Sequence, residues 1–212
     1  EEILHDLAVR SGVEEIQSFA EIFGFADKGK VSLSMAAMTF DVSVMEEFLP
    51  LTNGLTAVIA SDDEINNPMM LGDLIVKNKV DIMTSTPTYV SNIIDIPQLK
   101  EAMAQIKVFD LGAEAFPPAL YDKIRTVNPD VYIMNGYGPT ETTISCTMKV
   151  ITDSKNITIG VPNGNVKVYI VDKENKILPD GETGELVVAG MGVGRGYMNL
   201  PEKTADVFIE LN

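Results

Sequence analysis

The segment Asn135-Gly136-Tyr137-Gly138-Pro139-Thr140-Glu141-Thr142-Thr143 concentrates residue types that can hold a charged, planar ligand. Its glycines permit close backbone approach, Tyr137 offers an aromatic face, and Thr140, Thr142 and Thr143 offer hydroxyls. Glu141 supplies a hard oxygen of the kind magnesium binds. The segment follows Val131 to Met134, which reads as a buried strand, and open α/β sheets bind ligands beyond the carboxyl ends of their strands. Together these residues suit a nucleotide. Gly-Tyr-Gly-Pro is also good turn chemistry, so on spacing alone an ordinary loop is the alternative.

Two aspartates invite the same weighing. Asp41 precedes Val-Ser-Val-Met-Glu-Glu and can cap a helix. Asp110 lies near the end of the apolar run Lys107 to Leu111, where it is either a surface residue or a carboxylate facing a pocket. Other chemistries are excluded by composition. With one histidine, His5, and one cysteine, Cys146, the chain has no Cys/His cluster for zinc, no internal disulfide and no ordinary Ser-His or Cys-His nucleophile pair. Gly190-Met-Gly-Val-Gly-Arg-Gly196 lacks the G-x-G-x-x-G spacing of a dinucleotide site, so its glycines read as turn residues and no NAD is implied. Ser61-Asp-Asp-Glu64 reads as a solvated acidic loop.

The elements that must position these residues alternate along the chain. Ile16, Phe19, Ala20 and Phe23 share one helical face, and a strand is expected over Val31 to Met35. A helix from Asp41 to about Thr52 leads to a strand over Leu55 to Ala60, and Asn67-Pro68 opens a helix to Asn78 before a strand over Val80 to Ser85. Pro87, Pro97 and Pro117 punctuate further units, with strands over Lys107 to Leu111 and Val131 to Met134. This rhythm predicts α/β architecture, a parallel sheet flanked by helices. After about Val150 it changes to strands without intervening helices, Asn165 to Asp172 and Gly184 to Gly190, which predicts part of a small, antiparallel β unit. Pro201 opens a last helix.

With 212 residues, 45% hydrophobic, the chain can bury a substantial core. It carries 31 acidic against 16 basic residues, a formal charge of −15 that disfavours nucleic acid as a partner. No apolar run approaches the roughly 20 residues of a membrane span, and Glu1-Glu-Ile-Leu-His-Asp6 has no signal-peptide pattern; no membrane partner and a cytoplasmic location are expected.

Phe40-Asp-Val-Ser-Val-Met45, Gly112-Ala-Glu-Ala-Phe-Pro117, Asn135 to Thr143, Ile159-Gly-Val-Pro162, Gly184-Glu-Leu186 and Gly192-Val-Gly-Arg-Gly-Tyr197 occur in one order and at a set of spacings. In both respects the chain resembles the adenylate-forming, AMP-binding enzymes, and within them the adenylation domains of nonribosomal peptide synthetases and the related D-alanine-activating ligases. The resemblance divides the chain into residues 1–19, unassigned, residues 20–155, an α/β substrate- and adenine-binding subdomain, and residues 156–212, part of a small β subdomain.

The resemblance implies an enzyme that activates an amino acid with ATP to an aminoacyl adenylate and passes it to the phosphopantetheine thiol of a carrier protein. It implies that Tyr137 stacks on adenine, Thr140 contacts the α-phosphate, Glu141 binds magnesium, and Asn135, Gly136 and Gly138 belong to the nucleotide loop. Asp41 would pair with the substrate α-ammonium group, and Val42, Met45, Thr84, Asp110, Gly112, Gly136, Ile144 and Ser145 would line the side-chain pocket. The phosphate loop that precedes Phe40-Asp41 in such enzymes does not occur in the sequence, and the ribose-binding aspartate and lid lysine would fall beyond Asn212, so the isolated chain is expected to be inactive. An acyl- or aryl-acid ligase and a noncatalytic binding protein with this fold are the alternatives.

Overall fold

A computed structural model describes residues 29–210. The unassigned segment 1–19 and the helix expected over Ile16 to Phe23 lie outside the described residues.

The chain alternates β1 (Val31–Ser34), α1 (Val42–Thr52), β2 (Thr56–Ile59), α2 (Asp62–Asn66), α3 (Pro68–Asn78), β3 (Ile82–Ser85), α4 (Pro87–Ile93), α5 (Lys100–Gln105), β4 (Val108–Gly112), α6 (Pro118–Val127) and β5 (Tyr132–Tyr137). These five strands pair in parallel in the order β2-β1-β3-β4-β5, the architecture expected from the sequence. Two more strands, β6 (Thr147–Val150) and β7 (Val161–Pro162), extend the sheet antiparallel beyond β5. The large sheet thus runs past the expected division at residues 155 and 156. The small unit is the antiparallel pair β8 (Val166–Val171) and β9 (Glu185–Gly190), followed by α7 (Pro201–Val207).

Local chemistry explains the helix starts. Asn67 Oδ1 accepts from the Met69 and Met70 N–H groups at 3.0 and 3.4 Å while Pro68 occupies the first turn, a cap worth about 1 kcal/mol. Ser61 and Glu64 form a reciprocal capping box, in which Glu64 Oε2 accepts from the Ser61 N–H at 2.8 Å and Ser61 Oγ from the Glu64 N–H at 3.4 Å. This corrects the expectation of a solvated loop there: the Ser-x-x-Glu pattern nucleates α2, and its acidic residues sit at the favourable end of the helix dipole.

Strand alternation sorts side chains onto two faces of the sheet. Leu33, Met83, Phe109, Leu111 and Ile133 point to one face and pack under α3 to α6 against Leu71, Ile75, Leu99, Met103, Leu120 and Ile124. Burying one such side chain is worth roughly 1.5–3 kcal/mol. On the other face Ile82, Val108, Met134 and Met148 form a smaller cluster with Leu49 and Leu55. Two residues further along β3, β4 and β5 on that face come Thr84, Asp110 and Gly136. The apolar layer stops there.

Candidate functional site

At the carboxyl edge of the parallel strands the second face opens into a cavity of about 550 Å³. Its floor is laid by register: Thr84 pairs with Asp110 and Gly112 with Gly136. Gly112 must be glycine, since a Cβ there would meet the Gly136 carbonyl oxygen at 2.8 Å. At Gly136 a Cβ would reach no atom closer than 3.7 Å, yet it would project beside Asp110 Oδ1 at 3.8 Å, so glycine keeps the floor open above that carboxylate.

One wall is α1, whose helical spacing brings Val42, Met45 and Glu46 to the cavity together with Asp41. Asp41 occupies the cap position of α1, but its backbone is helical and its side chain makes no capping hydrogen bond. Its half-buried carboxylate lines the cavity instead. The opposite wall is the segment after β5. Thr143 and Ile144 both adopt left-handed backbone, φ 63° and 70°, a conformation rare for a β-branched residue. This turn aims Ile144 and Ser145 at the cavity and lets Cys146 hydrogen-bond back to the Tyr137 carbonyl.

The nine residues that the sequence assigned to a substrate pocket, from Asp41 through Ser145, therefore border one cavity, although they come from α1, three strands and a loop. Gly138 and Thr140 border it too. Three other assigned residues lie around it. The Tyr137 ring is exposed at the end of β5. Asn135, on the opposite face from Gly136, is buried and donates from Nδ2 to the Thr158 carbonyl at 2.9 Å. Glu141 sits in the short helical turn Thr140–Thr142 and accepts a hydrogen bond from the Tyr197 phenol, which holds its carboxyl below the usual range.

The glycine-rich segment after β9 packs on that turn. The Gly194 N–H donates to the Glu141 carbonyl at 2.7 Å and Thr143 Oγ1 to the Gly192 carbonyl at 2.6 Å. A Cβ on Gly192 would meet the Thr142 carbonyl at 2.7 Å, so this glycine serves close approach to the turn.

Sequence reasoning missed Glu46. Its carboxylate, 2% exposed, accepts from the Met35 and Ala36 N–H groups, both at 2.7 Å, and burial raises its pKa. Tandem Glu46-Glu47 gave no signal, because only the helical phase set by Val42 shows which one turns inward. Burial, with the Glu46 charge adding to it, pushes Asp110 up to about 7. Magnesium fits this arrangement only as a nucleotide-bound ion: the described residues hold no cluster of three acidic, histidine or cysteine ligands, and a single ionised Glu141 suits a cation whose remaining ligands are phosphate and water. Among the described residues no helix is long and apolar enough to cross a membrane.

A family described as AMP-binding enzyme matches residues 5–198. Gramicidin S synthase 2 of Brevibacillus brevis is 35% identical over 182 residues, which is 85% of this chain and 4% of that protein. The D-alanine--D-alanyl carrier protein ligase of Bacillus velezensis is 32% identical over 191 residues, 87% of this chain and 38% of the ligase. Among solved structures, a four-domain nonribosomal peptide synthetase bound to AMP and glycine superposes with a TM-score of 0.80 at 26% identity, over 92% of this chain and 14% of that one. The chain spans well under half the length of each of these relatives.

Proposed function

The chain belongs to the AMP-binding enzyme family, and from that premise we propose that it is the substrate-binding part of an amino-acid adenylation domain. The observation that carries this reading is the single cavity into which Asp41, Asp110 and the loop after β5 converge. The full protein, in this proposal, joins an amino acid to ATP. A carboxylate oxygen of the amino acid attacks the α-phosphorus, pyrophosphate leaves, and the acyl group then passes from the aminoacyl adenylate to the phosphopantetheine thiol of a carrier protein.

Asp41 takes the α-ammonium group in a charge-assisted hydrogen bond, which fixes the carboxylate of the substrate near Thr140. The Tyr137 ring is free to stack on adenine, Asn135, Gly136 and Gly138 shape the backbone along the nucleotide, and Thr140 donates its hydroxyl to the α-phosphate. Magnesium, held through Glu141, would neutralise phosphate charge. Positioning and electrostatic stabilisation supply most of the catalysis in such reactions. The 212 residues contain no Gly/Ser/Thr-rich phosphate loop with its lysine, so the proposal includes that they do not form adenylate alone.

The test is amino-acid-dependent exchange of pyrophosphate into ATP by the full natural protein. Exchange that requires an α-amino acid supports the reading. Exchange driven equally well by carboxylic acids without an amine would replace it with an acyl- or aryl-acid ligase.

A further inference from the structure

Three carboxylates are buried among the described residues: Glu46, Asp81 and Asp110. Two of them are satisfied by the protein. Asp81 accepts from the Val31 N–H at 2.9 Å and pairs with Lys107 at 2.5 Å, and Glu46 accepts from two backbone N–H groups. Asp110 is 4% exposed and has neither a hydrogen bond nor an ion pair. Its carboxylate borders the cavity, with Oδ1 facing the space that the missing side chain of Gly136 leaves open. A buried carboxylate without a partner is costly, and its only opening is toward whatever fills the cavity.

The rest of the lining says what that occupant carries. Glu46 and Asp41 border the same cavity, and among the described residues no lysine, arginine or histidine does. An anionic side chain would meet unopposed negative charge, and an apolar one would cover Asp110 and leave it unpaired. A cationic group meets both needs, and Val42, Met45, Ile144 and Met148 offer apolar surface to the methylenes that lead to it.

Resting on the proposed amino-acid activation, we infer that the substrate is an amino acid with an ammonium or guanidinium side chain, which pairs with Asp110 while Glu46 stands behind it as a second negative charge. Asp41 then serves the α-ammonium and Asp110 the side-chain cation. Glu46 is a positioning residue, because its oxygen is already held by Met35 and Ala36.

The experiment compares lysine, ornithine and arginine with norleucine, glutamine and glutamate in pyrophosphate exchange by the full natural protein. At least one cationic amino acid is expected to exceed norleucine, the apolar counterpart of lysine, by about tenfold or more in kcat/KM, as the loss of one charge-assisted contact dictates. Asp110→Asn should shrink that ratio on the order of tenfold to a hundredfold, and Asp110→Leu should invert it in favour of norleucine. A wild-type preference for a neutral or acidic amino acid overturns the inference while leaving amino-acid activation standing. So does an unchanged ratio in Asp110→Asn. Exchange with carboxylic acids but with no amino acid removes the underlying reading, and the inference with it. The wild-type ratio needs no variant to fold.

Discussion

The Tyr197 phenol donates a hydrogen bond to Oε1 of Glu141, 56 residues earlier in the chain, and so ties the segment after β9 to the turn after β5. The bond lowers the pKa of Glu141 and raises that of Tyr197. The Tyr197 ring has its own contacts, edge-on to Phe208 at 5.8 Å between centroids and under Lys203 Nζ at 4.5 Å. Tyr197→Phe should therefore keep the segment docked and free only the carboxylate. The expected outcome in the full protein is a magnesium requirement raised about threefold to tenfold, with the melting temperature close to wild type. An unchanged magnesium dependence would leave Glu141 as a structural anchor.

Glu141→Gln separates the same two roles from the other side. An amide still accepts from Tyr197 but is a poor magnesium ligand, so adenylation should fall strongly while amino-acid binding, which uses the cavity, changes little. Activity measured against magnesium concentration, with melting temperature alongside, checks this.

Two glycines, Gly136 in β5 and Gly138 just after it, should respond to alanine in opposite ways. A Cβ on Gly138 would lie 2.5 Å from the Ile144 carbonyl oxygen and 2.6 Å from Ser145 Cα, both backbone atoms that cannot swing aside. Gly138→Ala should destabilise by about 1–3 kcal/mol, the cost of overpacking, as seen in denaturant melts. At Gly136 the nearest atoms are 3.7 Å away and belong to side chains, so Gly136→Ala should melt normally and lose activity toward the largest substrates, whose space it takes.

The parallel part of the fold was legible because each unit carries its own punctuation: Asn67-Pro68 opens α3, and Ile82, Met83, Val108 and Phe109 alternate between two buried layers. That the residues assigned to a pocket border one cavity was legible through resemblance, and the structure adds the reason: Thr84 and Asp110 pair in register, and Gly136, level with Gly112, lies on the same face of the next strand. Thr147–Val150 and Val161–Pro162 escaped notice because an edge pair this short has little periodicity and is fixed by pairing with β5. Whether Asp110 faces solvent or a pocket is likewise undetermined by a strand end alone. Burial decides it.

Asp41→Asn tests the anchor. The side chain caps nothing in α1, so the substitution should leave stability unchanged. In the full protein it should weaken α-amino acids by roughly tenfold to a hundredfold relative to their deaminated counterparts, because only the former present an ammonium group. Equal losses for both would show that Asp41 shapes the cavity without holding the amine.

Asp110 should make the fold less stable as pH rises. Its pKa stands near 7 in the fold, pushed up by burial and then by Glu46, against an ordinary value of 3.8 in the unfolded chain. Between those values the folded chain holds a proton that the unfolded chain has released, so unfolding liberates protons and raising the pH favours it. The stabilisation is complete below pH 3.8, is lost progressively up to about 7, and changes no further once both states are ionised. From pH 5 to pH 8 the loss attributable to Asp110 is about two pH units of linkage, roughly 2–3 kcal/mol. Glu46 is shifted in the same direction, so the wild-type slope alone does not isolate Asp110. The difference between wild type and Asp110→Asn does, since asparagine is isosteric and does not titrate. In urea denaturation of the 212-residue chain, the variant should gain on wild type by that amount between pH 5 and 8. A cationic amino acid filling the cavity should shrink the difference, because it supplies the charge that the ionised carboxylate lacks. Parallel pH slopes for the two proteins would mean that Asp110 is already ionised in the fold and is not a carboxylate awaiting a partner.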